Sequence, residues 1–225
     1  MINQESLVRV SSEIAKCKAE LIVVTKNRIH EDIITIYNAG FKKFGENRVQ
    51  ELIRKKSDLP KDIEWHMIGH LQRNKVKFIA PFVAMIQSID SLRLLKEVNK
   101  QAKKYDRLIP CLLQVHIAKE ETKFGFNKSE IYELLSNNSL TEFQNVQIQG
   151  LMAMATFTND QTQIHQEFVY LNKLLINIRK DFLQDKAYFK ELSMGMTSDY
   201  KTALACGSTM VRIGSLFFNG KESSK

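Results

Sequence analysis

Eight short, densely apolar runs recur along this chain of 225 residues, and longer segments with helical spacing separate them. Dense apolar runs are typical of parallel strands that are buried on both faces, and helices typically connect such strands. The alternation therefore predicts an α/β fold with a parallel sheet. The predicted strands are residues 21–25, 42–45, 64–69, 84–88, 109–117, 146–153, 189–194 and 209–213.

The segments between these runs repeat apolar residues at intervals of three or four. In the clearest of them, residues 161–183, the repeat forms one continuous stripe, which must pack against the sheet. An additional helix, residues 4–18, is predicted ahead of the first strand. Other helices are predicted to begin near His30, Asn47, Asp90, Lys128 and Ser198.

Eight strand and helix pairs in a chain of this length lie close to the lower size limit of a closed (β/α)8 barrel. No internal repeat, low-complexity tract or Gly/Ser-rich linker marks a boundary, so residues 1–225 are predicted to form one domain. The predicted fold is a TIM barrel with an extra N-terminal helix. An open doubly wound sheet is the alternative.

Composition limits the partners of the chain. The formal net charge is +8, but the basic pairs, such as Lys55 and Lys56, are scattered and are interpreted as parts of solvated helix faces. No aromatic residues interleave with them, which argues against a nucleic-acid partner. No run approaches the roughly 20 apolar residues that span a bilayer, and the first residues lack the pattern of a signal peptide. We therefore predict a cytoplasmic protein without a membrane partner.

Unusual residues stand where the predicted strands end. The first strand ends in Lys26, and the last two strands are followed by small and hydroxyl residues. In a barrel the carboxyl ends of all strands meet at one rim, and the loops after the last two strands commonly bind phosphate. The loop residues are Ser193, Gly195, Gly214 and Ser215, with Arg212 beside them.

Lys26 faces this predicted phosphate site across the rim. Partial burial and a nearby cation such as Arg212 both favour a neutral amine, which attacks aldehydes. Pyridoxal 5′-phosphate (PLP) has a phosphate and an aldehyde at opposite ends of one ring, so it fits both groups. The alternatives are an ion-paired or snorkelling Lys26, and turn glycines without a ligand. A Schiff-base aldolase that acts on sugar phosphates without PLP also stays open.

Two other features of the sequence are interpreted as structural. His66 and His70 are four residues apart, but the segment around them has the pattern of a strand and no third ligand is near, so we predict no metal site. His66 is expected to line the pocket or to satisfy a buried hydrogen bond. The segment 123–126 (KFGF) is interpreted as a packing turn, and a loop that covers the pocket is the alternative.

Five segments in the same order closely resemble the pyridoxal phosphate homeostasis protein family: 23–26 (VVTK), 44–51 (FGENRVQE), 65–75 (WHMIGHLQRNK), 192–199 (LSMGMTSD) and 211–215 (VRIGS). The resemblance implies a PLP-binding barrel like the N-terminal domain of alanine racemase, cytoplasmic and often monomeric. It implies a Schiff base on Lys26 and a cofactor contact from Asn47. It also implies phosphate-binding loops at Ser193, Gly195, Gly214 and Ser215, and Arg212 beside the pyridine ring.

The function implied by this resemblance is PLP homeostasis without an established catalytic reaction. Arg212 would leave the ring nitrogen unprotonated and weaken the ring as an electron sink. The chain ends ten residues after Ser215, which leaves no room for the second domain of racemases. We therefore predict a monomeric carrier that holds PLP and releases it to apo PLP-dependent enzymes, with no catalytic residues. A weak amino-acid racemase, or another PLP-dependent enzyme, is the alternative.

Overall fold

The computed structural model describes residues 2–118, 124–136 and 142–218. Eight parallel strands, each hydrogen-bonded to the next along the chain, close into a barrel in which the last strand pairs with the first. This closure confirms the predicted (β/α)8 barrel, and the open sheet is wrong. The strands are β1 Glu20–Val24, β2 Lys43–Glu46, β3 Glu64–Met67, β4 Met85–Ile89, β5 Ile109–Gln114, β6 Val146–Met152, β7 Glu191–Ser193 and β8 Met210–Ile213.

Helices follow the strands and cover the outside of the barrel. The extra N-terminal helix is present and begins after Asn3, whose side chain accepts a hydrogen bond from the Ser6 amide. The helices predicted near Asn47, Asp90 and Ser198 each begin two residues later. The helices are α1 Gln4–Lys16, α2 His30–Asn38, α3 Val49–Asp58, α4 Val76–Ile79, α5 Leu92–Lys104, α6 Lys128–Ser136, α7 Gln161–Phe182 and α8 Tyr200–Ala205.

Alternation along the strands divides the core into two parts. One face of each strand packs against the helices, whereas the other face points into the barrel. Val23 belongs to the large outer core, and its neighbour Ile22 belongs to a small separate cluster with residues of four other strands. The members of this inner cluster are Ile22, Met85, Leu112, Met152 and Met210.

Polar residues share the barrel interior with this inner cluster. Gln87, Ser193 and Arg212 are all buried on strands whose neighbouring residues face the outer core. The interior therefore contains hydrogen-bonding groups directly beneath the rim where the carboxyl ends of the strands meet. None of the helices in the described part of the chain is long and apolar enough to cross a membrane.

Candidate functional site

A cavity of about 700 Å³ opens at the carboxyl ends of the strands. Residues that follow or end seven of the eight strands line it, so the sequence segments predicted to meet at the rim do meet there. Three of the lining residues carry a cation, Lys26, Arg28 and Arg212, and no acidic residue is among the described residues that line the cavity. A cavity with this charge favours an anionic ligand.

Lys26 lies at the cavity wall directly after the end of β1. Its side chain is exposed, and it forms no hydrogen bond or ion pair with any described residue. The partial burial that the sequence suggested for this amine is therefore wrong in this structure, and so is the ion-paired alternative. The amine can move and react with a ligand in the cavity.

Beneath Lys26, a buried ion pair anchors the backbone that carries it. The Lys55 ammonium and the Glu46 carboxylate are both fully buried, and their Nζ and Oε1 atoms lie 2.5 Å apart. Lys55 Nζ also donates to the Thr25 carbonyl at 2.6 Å, and the Thr25 hydroxyl donates to Glu46. Burial raises the pKa of the Glu46 carboxyl, and the Lys55 ammonium opposes that effect. This contact fixes the residue immediately before Lys26.

The residue immediately after Lys26 is also anchored from α3. The Asn27 amide donates to Glu51 Oε2 at 3.0 Å, and Lys55 Nζ approaches the same oxygen at 3.4 Å. Asn27 has a positive φ of 57°, so the chain makes a tight turn at this point. The turn and the two anchors hold the backbone of Lys26 in place while the side chain stays free.

Arg212 is held in the opposite manner, by its own side chain. It is only 4% exposed, and its guanidinium donates to Ser193 Oγ at 2.5 Å and to the Ala153 carbonyl at 2.9 Å. Burial lowers the pKa of Arg212 to about 10, and the negative charge of Asp199 acts against this shift. Arg212 thus remains a cation at neutral pH. It faces the cavity from the β8 side.

Ser193 does not line the cavity, although the resemblance assigned it to a phosphate-binding loop. It is fully buried inside the barrel, where its hydroxyl donates to Gln87 Oε1 at 2.7 Å and accepts from Arg212. Ser193 is the last residue of β7, and strand alternation turns its side chain inward. The structure places it beneath Arg212, away from the cavity wall.

The loops after β7 and β8 meet at the cavity and present backbone N–H groups. The Ser215 hydroxyl donates to Thr197 Oγ1 at 3.0 Å, which links the two loops. The amides of Thr197, Ser198 and Ser215 have no hydrogen-bond partner among the residues that the structure describes. Three free N–H groups beside two hydroxyls form a suitable site for the oxygens of a phosphate.

Two glycines allow these loops to pack closely. A Cβ atom at Gly214 would lie 2.6 Å from the Val24 carbonyl oxygen, so only glycine lets β8 pass so near the end of β1. Gly195 has a φ of 95°, and a Cβ there would lie 2.5 Å from Ala203 Cβ. Gly195 is therefore required for the path of the loop, and it is not among the residues that line the cavity.

Comparison with known proteins agrees with this geometry. The family model described as "Alanine racemase, N-terminal domain" matches residues 5–222. The pyridoxal phosphate homeostasis protein of Pasteurella multocida is 36% identical over 92% of this chain and 88% of its own length, and the human protein of that name is 33% identical over 99% and 84%. The chain belongs to the pyridoxal phosphate homeostasis protein family.

A solved structure supports the same family assignment. PipY of Synechococcus elongatus is 33% identical to this chain, and the match covers 96% of this chain and 99% of PipY. The TM-score is 0.88 for PipY without PLP and 0.86 for PipY with PLP bound. The relatives carry the name of homeostasis proteins and not of enzymes.

Asn47, which the resemblance to this family singled out, lines the cavity between Lys26 and the loop after β3. Its side chain is exposed, and its backbone packs against Gly69, where a Cβ atom would lie 2.4 Å from the Asn47 carbonyl oxygen. The predicted set thus divides into two groups. Lys26, Asn47, Arg212, Gly214 and Ser215 line the cavity, whereas Ser193 and Gly195 support it from outside the wall.

The mouth of the cavity contains aromatic residues whose position the sequence did not reveal. His70 stacks on Phe124 with ring centroids 4.0 Å apart, and its Nδ1 atom lies 2.9 Å from Asp90 Oδ2. Phe157 is 94% exposed at the same opening. Lys123 of the predicted packing turn lies outside the described residues, but Phe124 lines the cavity, so interpreting this segment as a packing turn alone is wrong.

Proposed function

We propose that this chain binds PLP, holds it as a Schiff base on Lys26 and maintains the supply of the cofactor without catalysing a reaction of its own. The observation that carries this proposal is the pairing of two features in one cavity. An unpaired amine, Lys26, faces a wall of free N–H groups from the β7 and β8 loops, and no described lining residue is acidic. Membership of the family and the PLP-bound PipY structure support it.

The residues present fit three parts of PLP, namely the phosphate, the ring nitrogen and the ring substituents. The amides of Thr197, Ser198 and Ser215 would bind the phosphate, and the Thr197 hydroxyl, which accepts from Ser215 and keeps its own proton, would add a further donor. Arg212 would donate to the ring nitrogen, because its guanidinium has N–H groups beyond the two that bind Ser193 and Ala153. Asn47 would contact the ring substituents on the β2 side of the cavity.

PLP supplies an aldehyde carbon, to which a neutral amine adds with loss of water to form a C=N bond. Lys26 is the lining residue with an amine, and its backbone is fixed by the buried Lys55 and Glu46 pair while its side chain is free. The chain therefore positions the amine without forming an ion pair that would hold it in the charged form.

Two features support a carrier over a racemase. Arg212 keeps its positive charge beside the ring position, so it disfavours a proton on the ring nitrogen. Among the described lining residues, His70 is the one imidazole, and it is held by Asp90 and Phe124 at the mouth.

An open cavity with an exposed Lys26 is also consistent with release of PLP to apo PLP-dependent enzymes. The cytoplasmic location and the monomeric state remain predictions.

Equilibrium dialysis with three related ligands tests the two halves of the proposed site separately. PLP should bind most tightly, because it has both groups. Pyridoxal lacks the phosphate and pyridoxine 5′-phosphate lacks the aldehyde, so each should bind more weakly, and only the aldehydes should give the absorbance of a Schiff base. Equal binding of PLP and pyridoxal would contradict the phosphate site.

Turnover assays distinguish the carrier from the two enzyme alternatives. Incubation of the PLP-loaded protein with L-alanine, followed by chiral chromatography, should give no D-alanine above the rate of free PLP. Production of D-alanine that disappears in Lys26→Ala would identify a racemase. Failure to bind PLP, together with cleavage of a sugar phosphate, would identify the aldolase instead.

A further inference from the structure

A chain of side-chain hydrogen bonds crosses the barrel interior from Arg212. The guanidinium donates to Ser193 Oγ at 2.5 Å, and the Ser193 hydroxyl donates to Gln87 Oε1 at 2.7 Å. The Gln87 amide nitrogen then lies 2.9 Å from His66 Nδ1. The residues come from β8, β7, β4 and β3, so the contacts span half of the barrel, and every member is at most 4% exposed.

The hydrogen bonds of this chain all run in one direction. A guanidinium has donors only, so the Ser193 oxygen must accept and its hydroxyl proton is available for Gln87. Since the amide oxygen of Gln87 accepts from Ser193, its NH₂ group donates to His66. His66 must therefore accept at Nδ1 and carry its proton on Nε2. Burial lowers the pKa of His66 to about 3, which keeps the ring neutral as this arrangement requires.

The acceptors around Arg212 are all uncharged. The two groups that accept from its guanidinium are a hydroxyl and a backbone carbonyl, and the negative charge of Asp199 acts on Arg212 without accepting a hydrogen bond from it. A carboxylate would attract the guanidinium away from the cavity and neutralise it. A neutral chain fixes the direction of the group and leaves its charge available to a ligand, and aligned hydrogen bonds strengthen one another.

We propose that His66, Gln87 and Ser193 form a positioning chain that orients the Arg212 guanidinium toward the ring nitrogen of PLP. This inference rests on the proposed function, because it assigns the contact between Arg212 and that nitrogen. None of the three residues touches the cofactor, and they act through Arg212. His66 therefore has a specific task, namely to end the chain with an acceptor.

The test compares variants that break the chain with a matched control elsewhere. Gln87→Leu removes the links to Ser193 and His66, and Ser193→Ala removes the links to Arg212 and Gln87. Gln101→Leu is the control, because Gln101 is 6% exposed, lies on α5 and bonds Glu97 on the same helix. For the end of the chain, His66→Phe removes the acceptor, whereas His66→Gln supplies another.

Two measurements are made on each folded variant: the dissociation constant for PLP by equilibrium dialysis, and the nitrogen-15 chemical shift of the ring nitrogen in labelled, bound PLP. We expect Ser193→Ala to weaken binding about tenfold, the effect of losing one hydrogen bond to a charged group. Gln87→Leu should weaken it less, because Ser193 still accepts from Arg212. The ring nitrogen signal should move in both. It should also move in His66→Phe and return toward the wild-type value in His66→Gln.

Wild-type affinity and an unchanged nitrogen signal in Ser193→Ala would overturn the positioning chain while leaving PLP binding intact. An equal change of affinity and nitrogen signal in Gln101→Leu would overturn it as well, because a general loss of barrel stability would then explain both changes. If Gln87→Leu does not fold, Ser193→Ala decides the question, since it removes a single hydroxyl. Failure of the wild-type protein to bind PLP would overturn both this inference and the proposed function.

Discussion

The two walls of the cavity hold their cations in opposite ways. On the β1 side, Lys26 is exposed and has no partner among the described residues, and the protein fixes its backbone through the buried Lys55. On the β8 side, Arg212 is buried and its guanidinium is fixed directly by Ser193 and Ala153. One wall therefore presents a group that can move, and the other presents a group that cannot.

This difference matches what each group has to do in a PLP carrier. An amine that binds and releases an aldehyde must change its bonding and its charge, so it needs freedom and contact with water. A guanidinium that recognises a ring nitrogen acts by its position alone, and freezing it in advance reduces the entropy lost on binding. The buried charges also differ, since Lys55 faces carboxylates and Arg212 faces neutral acceptors.

The largest expected effect comes from removing the mobile group. In Lys26→Ala the absorbance of the Schiff base should disappear completely, while part of the PLP stays bound through the phosphate contacts. The stability of the fold should be unchanged, because Lys26 is exposed and unpaired. Absorbance spectra after dialysis and thermal unfolding measure both quantities. Lys16→Ala, an exposed lysine on α1, is the control, and loss of all bound PLP in Lys26→Ala would contradict the comparison.

The anchor beneath Lys26 should be the most sensitive point for stability. Lys55→Met leaves Glu46 as an uncompensated buried charge, so we expect the free energy of unfolding to fall by about 3–5 kcal/mol. Lys56→Met, one residue further along α3 in a more exposed position, should change it by less than about 0.5 kcal/mol. Urea denaturation measures these differences.

A double variant sharpens this prediction. Replacing both members of the buried pair, Lys55→Met with Glu46→Leu, should recover most of the stability, because no buried charge remains. A double variant as unstable as Lys55→Met alone would mean that the lost contact with the Thr25 carbonyl, and not the charge of Glu46, causes the damage.

Breaking the fixed wall should affect affinity more than covalent attachment. Arg212→Met removes the donor to the ring nitrogen, and we expect PLP affinity to fall by about tenfold or more, which corresponds to about 1.4 kcal/mol or more. Sodium borohydride should still trap PLP on Lys26. Equilibrium dialysis and intact-protein mass spectrometry measure the two effects. Equal and total loss in Arg212→Met and Lys26→Ala would remove the distinction between the walls.

The stability of the protein should also depend on pH through the end of the positioning chain. Burial lowers the pKa of His66 to about 3 in the folded protein, whereas the ordinary pKa of 6.5 applies in the unfolded chain. Between pH 6.5 and pH 3 the unfolded chain therefore binds a proton on His66 that the folded chain does not. The free energy of unfolding should therefore fall as the pH is lowered from 6.5 toward 3, with a contribution from His66 of at most about 1.4 kcal/mol per pH unit.

Comparison with His66→Gln isolates this contribution. The variant lacks the titrating group, so its free energy of unfolding should decline less steeply over the same pH range. Urea denaturation at a series of pH values gives both curves. Parallel curves for the two proteins would show that His66 is not held neutral by the fold.

The barrel could be predicted from the sequence because the pattern that indicates each strand lies within a few consecutive residues. Each strand is a short apolar run, and this run can be recognised without knowing which elements the strand packs against. The end of β5 shows the limit of this approach. The run suggested a strand to residue 117, but β5 ends at Gln114, and Val115 forms an isolated bridge with Phe126 in the next loop. The single turn α4 was missed because its two buried apolar residues, Val76 and Ile79, do not make a periodic stripe.

The supporting residues of the site depend on contacts that no local pattern contains. Lys55 was interpreted as part of a solvated basic pair, although its spacing from Val49 and Leu52 puts it on the buried face of α3. That spacing could have indicated that Lys55 is buried. It could not have identified the partners of Lys55, Thr25 and Glu46, because they come from two other segments. Gln87 gave no signal at all, because its role appears only when β4 lies opposite β7.

Borohydride reduction of the PLP-loaded protein, followed by peptide mass mapping, tests whether PLP is held on Lys26, because it reports the ligand and the residue together. We expect one dominant adduct with the mass of reduced phosphopyridoxyl on the peptide that contains Lys26. An unmodified Lys26 peptide, with the adduct on other lysines or nowhere, would contradict it.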